Sequence, residues 1–513
     1  MQLTKNASIL ERLANIARAT ALFAVTAMTA VFAVMLAMVV IAITLGTRPA
    51  LAETSSDATA KAWCAGGDKL PPEQRIAGCT TVLASSKITK TARAAALFLR
   101  AEALNEQGSY PRAITDYNES LKLDPNNSGA YRGRAGAYYE MKVFDQAIAD
   151  LTQYIKREAN GDGYLDRGAA YLGKGDIDLA IADFGEVIKR HPDDYMPYTN
   201  RGEARRQKGD VAGAISDFDR AIALNPKESS AWFDRGIAYS DKDDDTHAIA
   251  DYSEAIRLRP NDPWFYNNRG NSYLAIGESD HAMADYDKAI SLDRHFALAF
   301  FNRGNLLNDR KEFDRALADY STSIGLDPSQ ARFYEKRAGA FREKGDLDSS
   351  LADLEAALRL NPKSAKDYTN RGTVFVEKHD YQRAIADYDQ ALKIDPQLEG
   401  ALASRCMVRA ILGHAEEGLT DCEAAPKVLP NDPNALDSRG LANLKLGNLD
   451  AAIADFTAAL AGDATLASSR YGRGVAELKK GDVEASRADI AAAKAMKPGI
   501  VDDFVSYGVA SAG

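Results

Sequence analysis

From residue 94 to residue 500 the chain sets small, large and polar positions in one order and repeats that order on a cycle of thirty-four residues. A small residue, Gly or Ala in eleven of twelve cycles, opens the pattern, as at Gly168, Gly202, Gly236 and Ala338. Sixteen residues later comes a large apolar residue, as at Phe184, Phe218, Tyr252 and Leu354, with Ala180, Ala214 or Ala248 one helical turn before it. Large beside small at helical spacing lets two antiparallel helices interlock, so each cycle predicts a helical hairpin. The turn between its helices reads Lys174-Gly175-Asp176 or Lys344-Gly345-Asp346, where Gly permits a left-handed cap and Asp caps the next helix. Nine cycles place a proline at the end of the second helix, from Pro125 and Pro192 through Pro430 to Pro498.

The polar positions are as regular. Twelve arginines, from Arg100 to Arg473, are each followed after sixteen residues by an aspartate, from Asp116 to Asp489. Only one interval departs, Arg134 to Arg167 at thirty-three residues, and a deletion there is easiest to absorb in the turn between repeats. Pairs such as Arg269 with Asp285 and Arg303 with Asp319 suit a ladder of interhelical ion pairs, because the planar guanidinium fork matches a carboxylate. The other reading makes the columns a charged surface for partners. Each Asp lies sixteen residues after one Arg and usually eighteen before the next, so spacing leaves open whether a pair closes within a repeat or between neighbours.

The order of small residue, aromatic, alanine and terminal proline resembles the tetratricopeptide repeat family over residues 94 to 500. The resemblance implies an all-α fold, a right-handed superhelical solenoid of about twelve helix-turn-helix units. It also implies a concave face, lined by the first helix of each unit, that accepts peptides or helices of partner proteins. Some family members clamp a peptide's terminal carboxylates with Lys and Asn four apart, a second Asn, then two basic residues four apart. The matching positions here are Asn267, Asn271, Asn302, Arg332 and Lys336, with Asn267 standing where Lys is expected. Lys366 and Asn370 extend this polar strip into the ninth unit. Phe233, Trp264 and Phe301 lie on first-helix positions of the same face and form an alternative aromatic docking strip.

Composition narrows the partners. The net charge of -10 deepens to -13 when residues 1 to 52, with four basic side chains and one acidic, are set aside. An acidic body argues against nucleic acid. Ala19 to Thr47 carries no charge and follows Lys5, Arg12 and Arg18, which marks a membrane-targeting segment with the amino terminus inside. Ala50-Leu51-Ala52 fits cleavage after Ala52, while Ala19 to Leu45 is long enough to remain as an anchor. Either way residues 53 to 513 reach the far side of the membrane, most simply a bacterial periplasm.

In such an oxidising compartment Cys64 with Cys79, and Cys406 with Cys422, read as disulfide staples across helical hairpins, against the alternative of four reduced, small apolar thiols. Residues 53 to 93 then hold a tether, Glu53 to Ala62, and a degenerate capping hairpin in which Trp63 and Ile76 cover the first unit. Residues 501 to 513 supply a closing helix with Phe504 and Val505 inward.

Catalytic chemistry finds little footing. Six histidines are scattered over different repeat positions, and no phosphate loop, metal-ligand helix or serine elbow is present. The sequence therefore points to a non-catalytic scaffold without metal or cofactor, binding proteins or peptides outside the cytoplasm. The other class is a binder of non-protein ligands, such as cell-wall fragments or small carboxylates, in the groove.

Overall fold

A computed structural model describes residues 57–66, 69–158, 162–428 and 431–509. These residues form twenty-seven helices and no strand. The apolar segment Ala19 to Leu45, the Ala52 cleavage position, the shortened turn at 159–161 and Pro430 lie outside them. Among the described residues no helix is long and apolar enough to cross a membrane.

The chain divides into two compact units, Met1–Arg190 and His191–Gly513. The first holds a leading helix pair, Asp57–Cys64 and Pro72–Ala84, and three repeats ending with helix Ile177–Arg190. The second holds nine repeats, from Met196–Lys208 to Val483–Met496, and the short helix Ile500–Ser506. Within each unit successive helices pack in pairs, each pair against the next, which is a solenoid built by nearest neighbours.

One relationship sets the helix pairing. A Cβ added to Gly236 would stand 2.7 Å from the ring of Tyr252, so the absence of a side chain is what admits that ring between the helices. Gly168, Gly202, Gly304 and Gly372 hold the rings of Phe184, Phe218, Tyr320 and Tyr388 in the same way. Where the small residue is Ala135 or Ala338, the partner is Leu151 or Leu354. Ala101 with Tyr117 is the exception.

The Arg–Asp pairs close within each repeat. Arg269 donates through Nε and Nη2 to Asp285, both at 2.8 Å, and Arg303 does the same to Asp319 at 2.7 and 2.8 Å. The third donor, Nη1, reaches back sixteen residues into the preceding repeat: Arg235 to Asp219 at 2.5 Å, Arg269 to Ser253 at 3.0 Å, Arg405 to Asp389 at 2.7 Å. One guanidinium thus fixes the hairpin and its neighbour together. Burial by itself would lower the Arg269 pKa, but the hydrogen bond and charge of Asp285 reverse the sign and raise it.

Helix ends follow local chemistry. Asp210, Asp244, Asp346, Asp380 and Asp482 cap second helices by accepting from backbone N–H groups. The turn before them needs a left-handed residue, supplied by Gly209 at φ 90° and Gly345 at φ 80°. Lys142, Asp243, Lys311 and His379 take that conformation in the repeats without glycine.

Two disulfides are present, Cys64–Cys79 with Cα atoms 4.5 Å apart and Cys406–Cys422 with Cα atoms 5.5 Å apart. In the tenth repeat the second replaces the small residue and the ring together. A Cβ on Gly418 would lie 2.9 Å from the Cys406 carbonyl oxygen, so the stapled helices require Gly where most repeats have Ala.

Three details at the ends correct the sequence reading. Residues 57–62 are helical, with Ala60 buried, and do not form a tether, because the Cys64–Cys79 bond draws that helix onto its neighbour. Ile76 packs against Leu104 and Tyr117, but Trp63 is exposed. At the other end Phe504 is buried and Val505 is 52% exposed, since one helical step turns it roughly 100° away from the packed side.

Candidate functional site

Positions on the first helices are counted here from the repeat arginine. Two residues after it, Asn271 and Asn305 each face the tyrosine of their own repeat: Tyr286 Oη donates to Asn271 Oδ1 at 2.8 Å and Tyr320 Oη to Asn305 Oδ1 at 2.9 Å. The tyrosine hydroxyl takes the amide oxygen, which leaves the amide N–H groups of each asparagine as donors for other acceptors. Asn271 stood among the sequence candidates and Asn305 did not. Its signal was the recurrence of Asn at one position in adjacent repeats.

One turn earlier the chemistry is different. Asn302 Nδ2 donates to Asn267 Oδ1 at 2.9 Å, and Asn267 is buried, so this pair joins repeats six and seven and Asn267 does not present an amide to a ligand. Phe233 and Phe301 are buried too, each 4.7 Å from a ring of the next repeat, Phe265 and Phe333. These two phenylalanines are packing residues and not an exposed strip, because adjacent first helices close over them. Trp264 is half-buried with its ring 4.6 Å from Phe296.

The basic candidates separate as well. Arg332 lies over the rings of Phe301 and Phe333 at 5.5 and 5.4 Å, with its Nε buried and without a partner. Lys336 and Lys366 are exposed, and Asn370 is half-buried. Between them Glu335 and Asp367 form an acidic pair that the sequence reading passed over. Asp367 is fully buried and both its carboxyl oxygens lack a hydrogen-bond partner, while Ser364 Oγ caps the Asp367 backbone N–H at 3.2 Å. Burial pushes the Asp367 carboxyl above the usual range. Burial and then the charge of Asp367 do the same to Glu335, against the pull of Lys366, Lys336 and Arg332.

In the first unit the first helices line a separate cleft of about 540 Å³ with Phe98, Glu102, Asn105, Arg132, Tyr139 and Asp166. Arg132 is committed there to Asp166 at 2.7 Å. His247 and His281 are exposed, stacked on Tyr239 and Tyr273 and bonded to Asp244 and Glu278. Among the described residues no group of three His, Cys, Asp or Glu side chains is arranged to hold a metal.

Family profiles described as tetratricopeptide repeat match residues 132–195, 165–229 and 428–499, and a second, described as TPR repeat, matches 101–142 and 241–277. The chain is a tetratricopeptide repeat protein. A profile described as the ETO1 C-terminal domain also matches residues 265–445 of the repeat array. A tetratricopeptide repeat protein of Parabacteroides merdae is 20% identical, covering 49% of this chain and 99% of its own at a TM-score of 0.40. The Cut9–Hcn1 structure is 13% identical over 89% of this chain and 96% of its own, with a TM-score of 0.47. YrrB, described as a TPR protein with an unusual peptide-binding site, is 21% identical over 37% of this chain and 97% of its own, with a TM-score of 0.32. Tetratricopeptide repeats are interaction scaffolds, and this chain is built as one.

Proposed function

We propose that this protein is a non-catalytic scaffold that binds extended peptide segments of partner proteins on the first-helix face of repeats six to nine. The observation that carries the reading is the pair of tyrosine-set amides, Asn271 and Asn305, whose N–H groups recur at one position in adjacent repeats. A peptide backbone offers carbonyl oxygens in series, and donors held in place lose little entropy on binding them. Lys336 and Lys366 stand exposed on the first helices of the next two repeats and favour a segment with carboxylate groups, in an otherwise acidic chain. Asn302 and Asn370 support the same strip, while Arg332 contributes charge from a packed position.

The two disulfides favour an oxidising compartment. Together with the apolar stretch before Ala52 they support export to a bacterial periplasm, with the segment Ala19 to Leu45 either removed or kept as an inner-membrane anchor.

A photo-crosslinking residue at position 336, compared with one at Arg257 on an exposed second-helix site, tests the reading in the native cell. A discrete adduct at 336 and none at 257 is expected. Equal labelling at both positions contradicts it, and a small, non-protein adduct at 336 turns the assignment to cell-wall fragments or small carboxylates.

A further inference from the structure

The face used above continues to the end of the array, and on repeats eleven and twelve it is already covered. After helix Val483–Met496 the chain turns at Lys497-Pro498-Gly499 and lays residues 500–509 against the first helices Pro433–Leu446 and Ala467–Lys480. Ile500, Phe504 and Val509 are buried against Leu441, Leu444, Tyr471 and Val475. Leu441 and Val475 stand two residues after their repeat arginines, the column that holds Asn271 and Asn305 in repeats six and seven. Lys445, in the eleventh repeat, reaches past the twelfth to donate from Nζ to the Tyr507 carbonyl oxygen at 2.5 Å.

A next repeat would continue the stack with a full first helix, whereas Ile500–Ser506 is seven residues long. A cleft of about 610 Å³ stays open between Leu466, Met496 and Ile500. The fit is also incomplete in its polar groups. Tyr471 is fully buried with its ring 4.8 Å from Phe504, and its hydroxyl has no hydrogen-bond partner. Burial, and then the neighbouring Lys479, hold the Lys445 ammonium below its ordinary range, which marks a cation short of negative charge. Of the acids in this region, Asp437 accepts from Ser468 and Ser469, Asp503 pairs with Lys497, and Glu477 lies near Arg473, Asp482 and Asp489 of its own repeat.

We propose that the first-helix face of repeats eleven and twelve is a second peptide-docking surface, held by residues Ile500–Val509 of the same chain until an acidic segment with an aromatic anchor displaces them. The ring would take the place of Phe504 between Tyr471 and Val475. A carboxylate beside it would satisfy the Tyr471 hydroxyl and the Lys445 and Lys479 ammonium groups, which the backbone carbonyl of Tyr507 does only in part. The tethered segment acts as a competitor at high effective concentration, so partners weaker than the tail are excluded.

This inference rests on the reading of the first-helix face as a peptide surface, and the test separates the two. The probe is a fluorescent peptide of residues 499–509, titrated into the full chain and into its Phe504→Ser variant. At least tenfold tighter binding to the variant is expected, with that gain removed by Lys445→Glu and untouched by Lys336→Glu. Equal affinity for both proteins, or no binding to the folded variant, overturns the proposal. Hydrogen exchange on the unmodified chain gives an independent reading: amides of 501–509 exchange at least tenfold faster than those of Tyr471–Ala476 if the segment leaves alone. Equal protection makes it a fixed part of the last repeat and overturns the proposal as well.

Discussion

Arg303 grips Asp319 with two parallel hydrogen bonds of 2.7 and 2.8 Å, closing the seventh repeat across its two helices. The aspartate side chain is 9% exposed and the arginine 21%, so truncating one partner strands the other in a largely dry site. Asp319→Ala is expected to cost about 3 kcal/mol, and Arg303→Met with Asp319→Leu together appreciably less. Asp287, which takes the third donor at 55% side-chain exposure, is worth less than about 1 kcal/mol. Denaturant titration of the three variants checks the order; an Asp319→Ala protein as stable as the parent would remove the ladder from the account.

Gly236 and Tyr252 make a second test of packing. Gly236→Ala drives a methyl to 2.7 Å from the ring and is expected to destabilise by about 1–3 kcal/mol. Adding Tyr252→Leu should recover part of that loss, because Ala135 with Leu151 and Ala338 with Leu354 are natural pairs in the same chain. A double-mutant cycle on thermal stability measures the recovery.

Asp367 fills a position where the other repeats carry Ala, Gly, Pro, Phe or Ser, from Ala96 to Ser469. Its pKa is raised in the folded state by burial, so the folded chain binds that proton more tightly than the unfolded one. The stabilisation is complete below the ordinary carboxylate range and is lost as pH rises through the raised value. Asp367→Ala is therefore expected to stabilise at neutral pH, by about 1–3 kcal/mol, with the gain shrinking in acid. Urea midpoints at neutral and acid pH would show it.

The tenth repeat depends on oxidation where its neighbours depend on a ring. Cys406→Ser with Cys422→Ser is expected to cost about 2–4 kcal/mol, localised by hydrogen exchange to helices Glu399–Ile411 and Ala415–Val428. Cys406→Gly, Cys422→Tyr and Gly418→Ala together rebuild the ordinary repeat. That triple variant should keep the tenth repeat protected from exchange in reducing buffer, where the parent loses it, while reduction of Cys64–Cys79 affects both proteins alike.

The thirty-four-residue cycle made the helix pairs, the turns and the arginine and aspartate columns legible, because those features depend on spacing along one hairpin. What spacing could not carry was the distance between neighbouring repeats. Offsets of sixteen and eighteen residues left the closure of the ion pairs open, and the pairs close at sixteen, within the repeat, while the third donor takes a different residue of the repeat before, as Arg235 takes Asp219 and not Asp217. Phe233, Phe301 and Asn267 were read as available to ligands because their helix face was right. They sit where the next first helix closes in, and only the packing reveals that. Asn305 was missed for the opposite reason: its column is chemically mixed along the chain, and its orientation comes from Tyr320.

Arg332 packs on two phenylalanines, so the exposed pair Lys336 and Lys366 gives the cleaner test of the binding face. The decisive measurement is partner capture from the native cell by the full chain and by its Lys336→Glu, Lys366→Glu variant, with helicity and melting compared in parallel. The account predicts that a discrete partner held by the parent is lost, at least tenfold, from a variant that folds and melts like it. Undiminished capture by the folded variant would contradict the assignment of repeats six to nine as the peptide-binding face.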